Sequence, residues 1–252
     1  MKVHQIVFSP TGGSRRVSDM LCRGIGADAV VTDLCVKSDA LSLPDIAADD
    51  LVIIAMPVFA GRVPTLAVER LRMVKANNAR CVVAVVFGNR AYDDALVELL
   101  DVATDTGFRV VAAVAASAEH SIIRKYGHGR PDADDEQELQ GFGAEILRKV
   151  EAGTCTVPQV PGNRPYKKPG MVPHPKGRRG CNQCVVCAAQ CPADAIPFDN
   201  PKAVDTAKCI SCMKCVSVCP TGARRIGAVM NFLATQGLKK VCATRKPNEL
   251  YV

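Results

Sequence analysis

The chain has 252 residues, 48% of them hydrophobic, with 13 cysteines, no tryptophan and a formal net charge of +7. That length holds one α/β domain of ordinary size, about 150 residues, plus a compact appendage. The composition excludes a disordered or fibrous chain, and the longest apolar run, 51–60, is broken by Pro57 and far short of the roughly 20 residues a membrane span needs.

Through the first 151 residues apolar strands alternate with helix-like stretches, the pattern of a parallel α/β sheet. Strands are predicted at 2–8, 29–34, 51–55, 80–87 and 109–116, and helices at 13–25, 64–76, 91–106 and 134–151. Near-continuous Val, Ile and Ala runs suit strands buried on both faces. Five such strands predict a doubly wound sheet, for which 2-1-3-4-5 is one common order. In that order strands 1, 3 and 4 are neighbours, so the loops after them meet at one end of the sheet. The run Asp132 to Glu136 reads as an acidic helix start favoured by the helix dipole.

Those three loops are unusual. Ser9-Pro10-Thr11-Gly12-Gly13-Ser14 places hydroxyls and glycine amides ahead of a helix, where an anion is favoured. It lacks the P-loop lysine and the dinucleotide glycine spacing, so alone it reads either as a phosphate cradle or as a helix cap. The second loop, Pro57-Val58-Phe59-Ala60-Gly61-Arg62, and the third, Gly88-Asn89-Arg90-Ala91-Tyr92-Asp93, each pair an aromatic with glycine amides able to approach a flat ligand. Together the three loops resemble those of the flavodoxin family, over residues 1–151. The resemblance implies an FMN site. Its phosphate would lie on Ser9, Thr11, Gly12, Gly13 and Ser14. Its ring would lie between Phe59, Ala60 and Gly61 on one side and Gly88, Asn89, Tyr92 and Asp93 on the other, with Pro57, Val58, Arg62 and Arg90 completing the loops. Family members usually stack a large aromatic on the flavin, often Trp, which this chain lacks. His120, after the fifth strand, reads as a polar loop group or as a further residue at this end.

Residues 152–176 contain Pro158, Pro161, Pro165, Pro169, Pro173 and Pro175 with almost no apolar periodicity, which predicts a semi-rigid connector. It is expected to lie along the surface and hold the following module near the loop end of the sheet.

That module, 177–226, carries one phrase twice: Cys181, Cys184, Cys187 and Cys191 before Pro192, then Cys209, Cys212, Cys215 and Cys219 before Pro220. Three thiolates at this spacing curl one loop around three iron corners, and the fourth reaches the other cluster. One 4Fe-4S cluster is therefore assigned to Cys181, Cys184, Cys187 and Cys219, the second to Cys209, Cys212, Cys215 and Cys191. Zinc would use two separated pairs and leave each loop's third cysteine idle. A disulfide framework needs an oxidising compartment, and nothing at the N-terminus looks like a secretory signal, so a cytoplasmic chain is expected. The segment resembles the bacterial two-cluster ferredoxins, which makes the chain a flavodoxin/ferredoxin fusion by resemblance. Cys22, Cys35, Cys81, Cys155 and Cys242 share no ligand spacing and read as small buried hydrophobes.

Charge divides along the same lines: 17 Lys+Arg against 21 Asp+Glu in residues 1–151, 6 against none in 152–180, and 9 against 4 in 181–252. The basic cluster of Arg164, Lys167, Lys168, Lys176, Arg178 and Arg179 fits a nucleic-acid surface, or counter-charge for anionic clusters and acidic partners. With Tyr166 its only aromatic, base stacking has little support. In the tail, 227–252, Ala228 to Leu238 is a short amphipathic stretch expected to pack back on the first domain. The function expected is electron transfer between two 4Fe-4S clusters and FMN, serving redox partner proteins, with no acid, base or nucleophile set that defines a substrate reaction. The alternative is a partner- or nucleic-acid-binding module with structural clusters and no flavin.

Overall fold

The computed structural model describes residues 1–170 and 172–252; Met171, in the predicted connector, lies outside the described residues. Five parallel strands, β1 (Val3–Val7), β2 (Ala29–Asp33), β3 (Leu51–Pro57), β4 (Arg80–Phe87) and β5 (Arg109–Ser117), lie in the order β2-β1-β3-β4-β5. This is the flavodoxin-like doubly wound order. Its physical basis is two-sided burial: Ile53 and Ile54 are both 0% exposed yet face opposite cores. One core packs against α1 (Gly13–Ile25) and α4 (Ala133–Glu151), the other against α2 (Thr65–Leu71) and α3 (Ala95–Asp105). Each buried Ile or Leu there contributes about 1.5–3 kcal/mol.

Two helices are shorter than their sequence patterns. The second stops at Leu71, ahead of left-handed Asn77 and Asn78, and the third starts only after left-handed Asp93, with Asp94 at its N-cap. The acidic start of α4 is a capping box: Asp132 accepts from the Asp135 amide, and Asp135 returns the bond.

The described residues of the connector have no regular structure up to Pro175, and it runs along α3. Asp94 accepts the amides of Lys167 at 2.7 Å and Asn163 at 2.9 Å, which hold its carboxyl below the usual range. Arg164 at 2.6 Å and the Tyr166 hydroxyl at 2.5 Å do the same for Asp101. Arg164 and Lys167 are thus spent on carboxylates of the first domain, which weakens the nucleic-acid reading.

The cysteine-rich module is a two-stranded antiparallel pair, β6 (Lys176–Gly177) with β7 (Arg224–Arg225), and two one-turn helices, α5 (Val186–Ala189) and α6 (Lys214–Ser217). Its small core contains Ala188, Ala195 and Ile196 beside the cysteines.

The tail departs from expectation. After α7 (Ala228–Leu238) it adds a sixth strand, β8 (Glu249–Tyr251), antiparallel to β5, so the sheet has one strand more than the five predicted. The α7 helix buries no residue fully; Ala234 and Leu238 meet Ile122, Ile123 and Tyr126 of the first domain, and the Tyr126 hydroxyl donates to the Thr235 carbonyl at 2.7 Å. Beyond the helix, Arg245 pairs with Asp132 at 2.6 Å, and the Lys246 carbonyl accepts from Arg130. No helix among the described residues is long and apolar enough to cross a membrane. Of the unassigned cysteines, Cys22, Cys35, Cys81 and Cys242 are buried as expected, whereas Cys155 is exposed in the connector.

Candidate functional site

The two cysteine loops fold alike. Gln183 and Val185 in the first, and Ser211 and Met213 at the matching places in the second, all have positive φ of 53–63°. Such turns draw successive amides toward one centre, a concavity suited to an anion. Val185 is β-branched and costly there, so the loop shape is imposed by more than local preference.

The fourth cysteine of each phrase lies near cysteines of the other phrase. Cys191 lies within electrostatic reach of Cys209, Cys212 and Cys215, and these four sulfurs line one closed, apolar cavity with Ile196 and Ile210. Cys219 in turn lies within reach of Cys187 of the first loop. Burial pushes the Cys212 thiol up to about 12 and that of Cys215 up to about 11. As thiolates are the ligands, filling this cavity must expel protons. The second set is mostly buried; in the first, Cys184 is exposed and Cys181 half-buried. Thiols without carboxylates, on amide-rich turns around an apolar cavity, form a donor set that fits a 4Fe-4S cluster. Among the described residues no three His, Cys, Asp or Glu groups are arranged for a single metal ion.

The loops after β1, β3, β4 and β5 surround a cleft at the carboxyl end of the sheet, where the doubly wound fold places ligands. It has three compartments sharing Ser121: one of about 400 Å3 beside Thr11, Gly13 and Arg16, a neck of about 40 Å3 between Ser9–Ser14 and Phe59, and one of about 370 Å3 between Phe59–Gly61 and Gly88. Gly12, left-handed at φ 93°, turns the chain into α1. The Gly13 and Ser14 amides have no hydrogen-bond partner among the described residues, and Ser9 Oγ accepts from Arg15 N at 3.0 Å, bracing the turn. Pro57 and Val58 line the neck, and Ala60 and Arg90 the larger apolar compartment.

Gly88 is required by crowding, because a Cβ there would sit 2.8 Å from His120 Cα. His120 lines the same compartment. Its Nδ1 accepts from the Ile122 and Ile123 amides at 3.1 and 3.2 Å, and burial lowers its pKa, so the neutral ring carries its proton on Nε2.

Four residues of the predicted set turn elsewhere. The Tyr92 hydroxyl bonds Glu249 at 2.5 Å and Tyr251 at 2.8 Å, and its ring packs on Phe87. Asn89 donates to the carbonyls of Cys242 and Thr244 and accepts from Lys246 N, anchoring the tail. Arg62 forks onto Glu98 at 2.7 Å, and Asp93 pairs with Arg90 and Lys167. Each is a loop residue with at least one partner from a segment distant in sequence, so the loop motif could not reveal its orientation.

The cysteine module closes the cleft. Ile210 and Ser211, from the second cysteine loop, line the compartment of Phe59 and Gly88, while Met213, Val216 and Ser217 cover the one beside Thr11. Arg70, 2% exposed, clamps the arrangement: its guanidinium donates to Leu34 O, Val36 O and Ser38 Oγ, and across the interface to Pro192 O at 2.8 Å. Lys37 adds an ion pair to Asp194. The module therefore docks at the loop end of the sheet, as expected. Arg70 carries no motif and was not foreseen.

The sequence profile of the 4Fe-4S binding domain matches residues 202–225, which contain the second cysteine phrase. Similar solved structures include the two-electron reduced flavodoxin of Megasphaera elsdenii, at 16% identity and TM-score 0.41, covering 57% of this chain and 98% of that one. Rubredoxin oxygen:oxidoreductase of Desulfovibrio gigas is 15% identical with TM-score 0.44, covering 62% of this chain and 37% of that one. The Streptococcus pneumoniae TIGR4 flavodoxin is 17% identical with TM-score 0.41, covering 59% and 99%. No curated protein matches the chain. Sheet order and matched profile together make this chain a flavodoxin-like α/β fold carrying a 4Fe-4S binding domain.

Proposed function

We propose that the chain is an electron-transfer iron–sulfur flavoprotein in which two 4Fe-4S clusters exchange single electrons with an FMN held in the cleft. The observation that carries this reading is the shared compartment, where Ile210 and Ser211 of the second cysteine loop face Phe59, Gly61 and Gly88. Residues 1–151 would hold the flavin, 177–226 the clusters, with 152–176 as connector and 227–252 as a strap.

The residues present suit FMN. The free amides of Gly13 and Ser14 at the start of a 13-residue helix, with the hydroxyls of Ser9 and Thr11, form a phosphate cradle. The apolar compartment suits a flat ring, and it offers one fixed donor, Nε2–H of His120. Phe59 is then the one aromatic of the predicted pair left beside the ring. Ile210 and Leu238 add apolar surface to that compartment. When bound, FMN takes up one or two electrons where each cluster takes one, so the chain would join single-electron to paired-electron chemistry. The exposed Cys184 loop, beside basic Arg178 and Arg179, offers the first cluster to an acidic redox partner.

Purification without oxygen tests this, with about eight irons and about one FMN expected per chain. Iron-loaded protein that releases no FMN on denaturation, after incubation with excess FMN and removal of the unbound flavin, removes the flavin half. Zinc in place of iron removes the whole.

A further inference from the structure

The two cysteine phrases are copies, and laying one on the other exposes a mismatch. Five residues after Cys191 stands Ile196; five residues after Cys219 stands Arg224. Both places are sealed, Ile196 at 4% exposure and Arg224 at 2%. Isoleucine belongs in such a place, whereas a buried guanidinium is unfavourable unless an anion compensates it.

No carboxylate does so among the described residues. Nη1 of Arg224 donates to Pro201 O at 2.6 Å, and Nη2 to Pro175 O at 3.2 Å and Ala203 O at 3.1 Å, all neutral carbonyls. Nε–H is buried with no acceptor. The groups around it that can become anions are sulfurs. Arg224 lines the closed cavity on which Cys191, Cys209, Cys212 and Cys215 converge, and it lies beside Cys215. It also lies within electrostatic reach of Cys187 in the other set, whose Sγ approaches the same Pro201 carbonyl.

We infer that Arg224 is the built-in counter-charge of the two clusters, a positioning residue that raises their reduction potentials, and above all that of the second. This rests on the two-cluster reading above. An oxidised cluster with four thiolates carries about −2, and one electron makes it about −3. A fixed cation favours the more negative state, so it eases reduction, by at least about tenfold for a unit charge within about 12 Å at an effective dielectric of about 20. The fork of carbonyls around the guanidinium holds the charge in place and leaves Nε–H free for a sulfur.

The test uses the full chain, purified without oxygen, as wild type, Arg224→Met and Arg224→Lys. Iron content of the wild type is measured first, and fewer than about eight irons overturns the two-cluster reading independently of Arg224. The potentials are then read by redox titration followed by electron paramagnetic resonance. In R224M the reduced-to-oxidised ratio of the second cluster at a fixed ambient potential should fall at least about tenfold, a shift of about 59 mV or more for a one-electron couple. R224K, which keeps the charge, should stay near wild type. Unchanged potentials in R224M overturn the proposal, as does R224K falling as far as R224M, which would assign Arg224 to packing alone. If R224M does not fill with iron, full loading of R224K supports the counter-charge, and equal loss in both overturns it.

Discussion

Replacing Arg70 by methionine should loosen the interface between the two domains while leaving the apolar stem of the side chain in place. The guanidinium makes four hydrogen bonds, to Leu34 O at 2.5 Å, Val36 O at 2.7 Å, Ser38 Oγ at 3.3 Å and Pro192 O at 2.8 Å. Each buried acceptor left without a donor costs about 1–3 kcal/mol. The Ser38 hydroxyl can turn elsewhere, so three carbonyls count, and with partial relaxation the sum is about 3–5 kcal/mol. Only the Pro192 bond crosses between domains, so docking itself should weaken by about 1–3 kcal/mol, about 5- to 150-fold. The ion pair that also crosses, Lys37 with Asp194, has side chains 25% and 54% exposed and is worth about 0–1 kcal/mol. Urea unfolding of the iron-loaded protein measures the first quantity, and small-angle X-ray scattering the separation of the domains. A loss below about 1 kcal/mol, or a Lys37→Ala variant that separates the domains as much as R70M does, would refute the clamp.

Gly88→Ala should raise the dissociation constant for FMN by at least about tenfold, because the new Cβ meets the His120 backbone at 2.8 Å, and iron content should not change; quenching of flavin fluorescence measures it, and wild-type affinity counts against this cleft. Cys191→Ser should abolish the resonance signal of the second cluster and spare the first, with Cys219→Ser doing the reverse; the opposite pairing would mean that the fourth cysteines do not cross over. The connector should be acid-sensitive. Asp94 and Asp101 have carboxyls held below their ordinary range, so the anchoring they give is complete above about pH 4 and is lost as pH falls through the folded values. Pepsin digestion across that window should cut first between Val157 and Lys168, and resistance there at the lowest pH would contradict the anchoring.

Strand runs such as Leu51–Ala55 and Cys81–Phe87 were legible because burial on both faces leaves unbroken apolar sequence. The cysteine phrases were legible because cluster ligation fixes spacing. The tail strand was not, since three residues pairing with Ala113–Ala115 carry no periodicity of their own. Tyr92 and Asn89 show the limit of loop motifs: residue types suited to a ligand serve equally well to hold Glu249 or the Cys242 carbonyl, and only tertiary context decides. Arg70 lay hidden in an ordinary helix. Arg224 could have been found by aligning the two phrases and asking why one has isoleucine where the other has arginine.

The strap formed by residues 242–251 also sets an order of events during synthesis. Asn89, Ser117 and Tyr92 find hydrogen-bond partners in Cys242, Thr244, Asn248 and Glu249, so the third loop of the cleft is finished by a stretch of chain made well after it. Both cysteine phrases emerge before it. Domains fold as they emerge, N-terminal first. On the proposed reading, a nascent polypeptide thus exposes both cysteine phrases while its cleft is still unlatched, and iron has the first opportunity to bind.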